Sequence, residues 1–309
     1  MDTDPNSSVL VTGGRGFIGR AVVKLLRREG YRVVSLDTSA PHSVRDDRES
    51  VHEVVCDISD AEELRRMFDA ESIGGIIHLA AILPTMAQRE PLRATRVNVT
   101  GSVNLLDMAL RFGVRRFVFG SSLSVYGTCA ADQVVSESDR AAPEDIYGAA
   151  KVYVEQLGQA CRARHGVEFV SLRIGRVVGS GSGSTTSAWR SQIFELLGSS
   201  QAVQIAVPYV GSERLLLVHV EDVARMMVTL LQTLRPGHAI YNAPCEAMVV
   251  ADLKREVEAL NRNINVTLGE AFAVGNPRLL ESERFRQEFG FEVTPIAARL
   301  RSAASLCSS

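Results

Sequence analysis

Short runs of apolar, mostly β-branched residues alternate along this chain with longer segments whose apolar residues recur at helical spacing. Strands are predicted over Ser8–Thr12, 31–36, 51–56, 75–80, 116–120 and Glu168–Ile174. These runs are mostly apolar rather than alternating, as strands covered on both faces must be. Between them, amphipathic helices are predicted over 18–28, 61–69, 93–112 and Ile146–His165. Strand and helix in strict turn imply right-handed crossovers. The expected class is α/β, a doubly wound parallel sheet with helices on both faces.

Beyond residue 175 that rhythm degrades. A Gly/Ser-rich loop at 179–187 precedes a helix near 188–197, and strands over 214–220 and 239–242 read as further members of the sheet. A helix over 221–234 separates those two strands, and the tail from Pro244 mixes short helices with one strand at 264–268. The expected division is a main domain of residues 1–175 plus 213–243 and a smaller, discontinuous C-terminal lobe of 176–212 plus 244–309.

Composition narrows the function classes. At 309 residues the chain has room for such a two-part body. Its 34 lysines and arginines against 36 aspartates and glutamates give a formal charge of −2, without the basic surplus of a general nucleic-acid binder. The longest mainly apolar stretch, 73–84, has 12 residues, whereas a membrane helix needs about 20. Five cysteines, with no Cys-x-x-Cys pair and no suitable histidine spacing, argue against a disulfide framework or a zinc site. With an acidic, polar start that reads as no targeting segment, a cytoplasmic protein without metal is expected.

The first predicted strand runs directly into Thr12-Gly13-Gly14-Arg15-Gly16-Phe17-Ile18-Gly19, inside which a helix begins. Gly13 permits a tight turn, Gly16 lets the backbone approach a pyrophosphate, and Gly19 packs helix on strand, while the free amides at Phe17 and Ile18 face the phosphates. Asp37 closes the second strand, where a carboxylate accepts the hydroxyls of an adenosine ribose and repels a 2′-phosphate. NAD is therefore expected over NADP. Arg15 weakens that preference, since a basic residue there suits NADP; a solvated loop arginine is the other reading. Asp57 and Ile58 end the third strand, where a carboxylate can meet the adenine amino group or simply cap a turn. His78-Leu79-Ala80-Ala81 ends the fourth with small residues along which a flat ligand can lie; His78 itself reads as a core histidine.

Tyr147 and Lys151 stand four apart on one predicted helix, so phenol and ammonium share a face. A neighbouring ammonium is expected to lower the phenol's pKa, enabling it to take a proton from a substrate alcohol while hydride leaves for a nicotinamide. Ser121, Ser122 and Ser124 follow the fifth strand, at the carboxyl end where such sheets bind ligands.

The ordered set TGGRGFIG, Asp37, HLAA, NVTGSVNLL around Asn98, SSLSVYG, YGAAK, LRIGRVVG and VHVEDVA resembles an extended short-chain dehydrogenase/reductase, and more narrowly the NAD-dependent epimerase/dehydratase family. The resemblance covers residues 8 to 243. It implies a Rossmann domain for the main body, a substrate-binding role for the lobe, and a catalytic triad of Ser122, Tyr147 and Lys151, with Lys151 and Tyr147 also touching the cofactor. It places Asn98 near the site and implies a homodimer through the helices at 93–112 and 146–165.

Departures from the family bear on the substrate. Sugar-nucleotide dehydratases carry an Asp-Glu pair after the catalytic threonine; here Leu123 and Ser124 stand there, which disfavours dehydration. The epimerases' diphosphate-holding asparagine is replaced by Arg176, three residues after Arg173. Their clamping arginine is replaced by Leu215, with Arg214 one place earlier, where the related L-threonine dehydrogenases carry an arginine. Arg176 and Arg214 thus form a candidate anion clamp, joined in a pocket by Arg173; ordinary surface or salt-bridge arginines are the other reading. Trp189 and Arg190 are candidate pocket-lining residues. The leading expectation is an NAD-dependent oxidoreductase or epimerase acting on a secondary alcohol of a sugar or nucleotide sugar. The alternative is a dehydrogenase of a small hydroxy acid or amino acid. A non-catalytic NAD sensor on the same fold is the third reading, set against the presence of both Tyr147 and Lys151.

Overall fold

The computed structural model describes residues 7–39, 51–182 and 187–307. Its centre is a seven-stranded sheet of β1 (Ser8–Thr12), β2 (Val33–Asp37), β3 (Val51–Val55), β4 (Ile73–His78), β5 (Arg116–Ser122), β6 (Glu168–Ile174) and β7 (Ile240–Asn242). The strands lie in the order β7-β6-β5-β4-β1-β2-β3, and every pairing is parallel. The order reverses beside β1, between β1 and β4, which opens a crevice at the carboxyl ends of the strands.

Alternate residues of each strand enter different cores. Val9, Val11, Val33, Ile77, Val118, Val170 and Leu172 meet Val22 and Leu26 of α1 (Phe17–Arg28) and Met226, Met227 and Leu230 of a later helix (Val220–Gln232). Their neighbours Leu10, Val34, Leu36, Ile76, Phe117, Phe119 and Phe169 meet α2 (Ala61–Ala70), α3 (Ser102–Arg111) and α4 (Ile146–His165) through Leu64, Phe68, Leu105, Leu106 and Val154. Two-sided burial is why these strands read as continuous apolar runs.

The helix predicted over 93–112 is broken into three pieces. An α-turn at Pro91–Thr95 passes into a π-helix at Arg96–Gly101 before α3 begins. The wide turn falls where Asn98 is buried and where Gly101 lies so close to Ile58 that an added Cβ would sit 2.6 Å from its side chain. Insertions of this kind widen a helix locally, often beside a functional site.

Residues 214–219 form a strand, but outside the seven-stranded sheet. Arg214–His219 is the middle of a separate three-stranded sheet, flanked by Arg176–Val178 and Glu246–Val249. Its Leu215 and Leu217 belong to the core of the lobe, with Phe194, Ile205, Met248, Leu253 and Ile264, whereas Val218 belongs to the core beneath α1. A parallel pair, Val203–Tyr209 with Ile264–Ala271, completes the lobe. Leu279–Leu280 pairs with Val134–Val135 in the segment after β5, tying the C-terminal part of the chain to the carboxyl end of the sheet.

Candidate active site

The turn from β1 into α1 is tight at its glycines. Gly13 has φ +67, and a Cβ there would lie 2.9 Å from the Ala80 nitrogen; one at Gly19 would overlap the Gly13 carbonyl, and one at Gly14 the Ser35 hydroxyl. Gly14 is constrained as well, by the Ser35 side chain on β2, a contact that the spacing does not reveal. Gly16 is the N-cap of α1 and supplies no side-chain cap. The first backbone bond of the helix is Arg20 N–H to the Gly16 carbonyl at 3.0 Å, so the amides of Phe17, Ile18 and Gly19 precede the intrahelical ladder and suit a pyrophosphate.

At the end of β2, the Asp37 carboxylate accepts from the Arg15 amide at 3.2 Å and from the Ser39 amide and hydroxyl at 3.2 and 3.0 Å. Asp57 accepts from the Ser59 amide at 2.9 Å, which makes it a turn residue as well as a candidate adenine contact. Ile58 is buried against Gly101.

The segment after β4 is held by a directional chain of hydrogen bonds. The Leu79 and Ala80 amides donate to Thr12 Oγ1, each at 3.2 Å, and Thr12 Oγ1 lies 2.7 Å from His78 Nδ1. His78 Nε2 lies 2.9 Å from Ser102 Oγ, which donates to the Asn98 carbonyl at 2.8 Å. Because Ser102 spends its only proton on Asn98, Nε2 must donate and Nδ1 accept, which assigns the tautomer. Burial, followed by the charge of Lys151, pushes His78 down to about 3, so it is a neutral structural residue. Asn98 exchanges two hydrogen bonds with the backbone of Ile82, at 2.7 and 2.9 Å. Its amide therefore positions the segment that follows Ala81.

Asp145 caps α4 by accepting from the Gly148 amide at 2.6 Å, which fixes the start of the helix and sets Tyr147 in its first turn. Lys151, one turn on, donates from Nζ to the Gly120 carbonyl at 2.7 Å and lies 5.4 Å from the centre of the Tyr147 ring. Ser122 caps its own turn, accepting from the Ser124 amide at 3.1 Å and donating to the Ser124 hydroxyl at 3.1 Å. The Ser122 hydroxyl also acts on the Tyr147 phenol, pulling its pKa down. The structure thus brings Ser122, Tyr147 and Lys151 together at the carboxyl end of β5.

Their electrostatics differ from the expectation of a lowered phenol. Burial pushes Tyr147 up to about 12, the Ser122 hydrogen bond pulls it back, and the Asp145 charge adds to the rise. Lys151 does not offset this, because burial pushes its own ammonium down to about 7 against an opposing pull from Glu155. Without added charge at the site, desolvation outweighs the attraction between the two groups.

Arg173 does not face the pocket. It is 4% exposed and forms a forked ion pair with Glu155 on α4, at 3.0 and 2.7 Å, while donating to the Tyr126 hydroxyl at 2.8 Å. Trp189 is likewise a lobe-core residue, edge-on to Tyr209.

Arg176 and Arg214 do share a cleft, lined also by Leu123, Leu216, Asn276 and Arg278. Leu123 follows Ser122 directly and links this cleft to the triad along the chain, although none of the three triad residues lines it. Arg176 lies over the Tyr209 ring, 5.5 Å from its centre. Burial and then the Arg176 charge push Arg190 down, with Tyr209 opposing, which places a further cation close by. Asn276 and Arg278 carry no sequence signal; the strand pair at Leu279–Leu280 brings them in. Arg278 donates to buried Glu213 at 2.7 and 3.2 Å. Of the loop at 179–187, residues 183–186 lie outside the described residues.

A parallel sheet with a glycine turn after its first strand, and with Ser122, Tyr147 and Lys151 brought together at its carboxyl end, fits the class of extended short-chain dehydrogenase/reductases. The profile of the NAD dependent epimerase/dehydratase family matches residues 9–243, and the chain belongs to that family. UDP-glucose 4-epimerase of Erwinia amylovora is 34% identical over 186 residues, 56% of this chain and 54% of that protein. The chain spans about half the length of the curated epimerases it matches. Mitochondrial L-threonine 3-dehydrogenase of Sus scrofa is 24% identical over 299 residues, 92% of this chain and 78% of that protein. The crystal structure of UDP-glucose 4-epimerase from Thermus thermophilus, in complex with NAD, superposes with a TM-score of 0.82 at 24% identity, covering 98% of this chain and 99% of that one. NAD is the cofactor, and the glycine turn with Asp37 at its far end fits it.

Proposed function

We propose that the protein is an NAD-dependent oxidoreductase or epimerase that acts at a secondary alcohol of an anionic sugar or nucleotide sugar. The observation that carries this reading is the Ser122–Tyr147–Lys151 cluster, with Tyr147 and Lys151 buried, next along the chain to Leu123 of a cleft that Arg176, Arg214 and Arg278 also line. NAD, held along Gly13–Gly19 and Asp37, supplies the hydride acceptor. Tyr147 takes the hydroxyl proton, Ser122 hydrogen-bonds the reacting oxygen as charge develops on it, and Lys151 sets the charge around the phenol. Guanidinium groups match the forked acceptors of a diphosphate or carboxylate.

A second reading, a dehydrogenase of a small hydroxy acid or amino acid, draws on one observation. The L-threonine 3-dehydrogenase alignment runs through the lobe to 92% of the chain, while that of the UDP-glucose 4-epimerase covers 56%. The near-ultraviolet absorbance of NADH separates the alternatives. A dehydrogenase accumulates it with its substrate, whereas an epimerase interconverts two sugars with no net NADH. Thermal protection by UDP supports the nucleotide branch, and no protection by UDP with NADH formed from a small acid overturns it. Tight NAD binding without turnover on either substrate set would favour a sensor. The reading extends to a cytoplasmic homodimer through α3 and α4, which light scattering tests.

A further inference from the structure

The glycine turn carries a cation that the chemistry above does not use. Arg15 sits between Gly14 and Gly16 with its amide bound to the Asp37 carboxylate at 3.2 Å. Its guanidinium turns toward β3, where Nη2 lies 2.8 Å from Glu53 Oε2. The Arg15 side chain is 14% exposed, and among the described residues its terminal nitrogens make no aligned hydrogen bond. Glu53 is thus a charge partner rather than a forked acceptor. In the parallel register Glu53 stands opposite Ser35, two residues before Asp37. One cation and two carboxylates therefore lie side by side where β2 and β3 end.

That edge is where an adenosine ribose is read. NADP differs from NAD there by a 2′-phosphate, a dianion near neutral pH, for which a guanidinium is the best-shaped side-chain partner. Asp37 repels such a group, and a free Arg15 attracts it. Which charge prevails depends on where the guanidinium is held.

We propose that Glu53 sets the cofactor preference by engaging Arg15, so that the guanidinium is neutralised and Asp37 alone meets the ribose. Glu53 acts through Arg15 and is a positioning residue. The inference rests on NAD binding at this turn and is independent of the substrate. It also explains how a basic residue inside the glycine motif coexists with an acidic end to β2.

The test is equilibrium binding by titration calorimetry, with 2′,5′-ADP and 5′-AMP as probes of the adenosine end and NADP and NAD as the full cofactors. Glu53→Gln keeps the size of the side chain and a polar group beside Arg15 while removing the charge; Glu53 itself is 37% exposed, so the variant is expected to fold. The expected result is a gain on the order of tenfold in 2′,5′-ADP and NADP affinity, the scale of one charge-assisted hydrogen bond, with 5′-AMP moving far less. Removing a nearby carboxylate also lessens plain repulsion of a phosphate, and Arg15→Ala separates the two effects. If Arg15 is the agent, the gain vanishes in Glu53→Gln combined with Arg15→Ala. Unchanged 2′,5′-ADP affinity in the single variant, or the same gain in the double variant, overturns the proposal.

Discussion

The triad and the arginine cleft adjoin at Ser122 and Leu123, yet they are built in opposite ways. The triad end draws on neighbouring strand ends and one helix, and its polar groups are locked by backbone partners: Lys151 to Gly120, and Asn98 to Ile82. The cleft draws on Arg176, Arg214 and Arg278, from three separate segments, with Arg190 on a fourth. There the cations repel one another, and the described residues supply one buried carboxylate, Glu213, to balance Arg278. Under the proposed function, a reaction centre of backbone-locked groups beside a collar of mutually repelling charges would let substrate preference change by substitution without disturbing the chemistry.

The largest effect separates the two regions outright. Tyr147→Phe removes one oxygen from the triad and nothing from the cleft. Turnover is expected to fall by about 10²–10⁴-fold, the usual worth of a positioned proton-transfer group, with NAD affinity and the Michaelis constant little changed. Steady-state kinetics checks this; activity above a tenth of the parent rate would remove Tyr147 from the reaction.

Next in size is a pH effect on stability. The folded pKa of Lys151, about 7, lies below its ordinary value of 10.5, so the fold holds this proton less firmly than the unfolded chain does. Below about pH 7 both states are protonated and the whole desolvation cost weighs on the fold. Between the two values, rising pH relieves that cost, so the stability contributed by this group rises with pH. Lys151→Met is therefore expected to raise the melting temperature of NAD-free protein at about pH 6, by on the order of several degrees, with the gain shrinking toward pH 10. Calorimetry at the two pH values checks it, and a gain equal at both would show that burial does not tax the ammonium.

The two regions were unequally legible in the sequence for the same physical reason. Strand ends, the glycine turn and the Tyr147–Lys151 spacing are local, so residue type and period carry them; each strand of the seven-stranded sheet falls within two residues of its predicted bounds. Gly14 escaped notice because its constraint comes from Ser35 on another strand. Arg173 looked like a pocket residue because an arginine's partner, here Glu155 on α4, is not visible along the chain. Arg278 enters the cleft through a two-residue strand pair formed more than 140 residues away in sequence from Val134, a contact no local pattern announces. The strand at 214–219 was recognisable as a strand, while its sheet was set by partners far apart in sequence.

A smaller effect belongs to the cleft alone. Replacing Arg176 and Arg214 together by alanine is expected to raise the Michaelis constant for the anionic substrate by about 10–100-fold, as two charge-assisted contacts are lost. The turnover number at saturation and the NAD affinity should change little. The comparison breaks if the double variant loses NAD binding, because the collar would then support the cofactor end.

The smallest effect tests whether the collar is itself held in place. Burial pushes Glu213 up, but its hydrogen bond to Arg278, the Ala273 amide, the Arg278 charge and the Arg214 amide together hold it below the ordinary carboxylate range. Glu213→Gln keeps one acceptor and removes the charge, so the Arg278 guanidinium loses its forked partner. It is then free to engage the substrate's anion, in a cleft made more positive by one charge. The expected result is a Michaelis constant lowered by about three- to tenfold with turnover preserved, the scale of one charge-assisted hydrogen bond. Glu213→Asp, charged but a methylene shorter, should show only part of that fall. A purely structural carboxylate would instead lower the melting temperature of both variants and leave the Michaelis constant unmoved, and that outcome would place Arg278 outside substrate recognition.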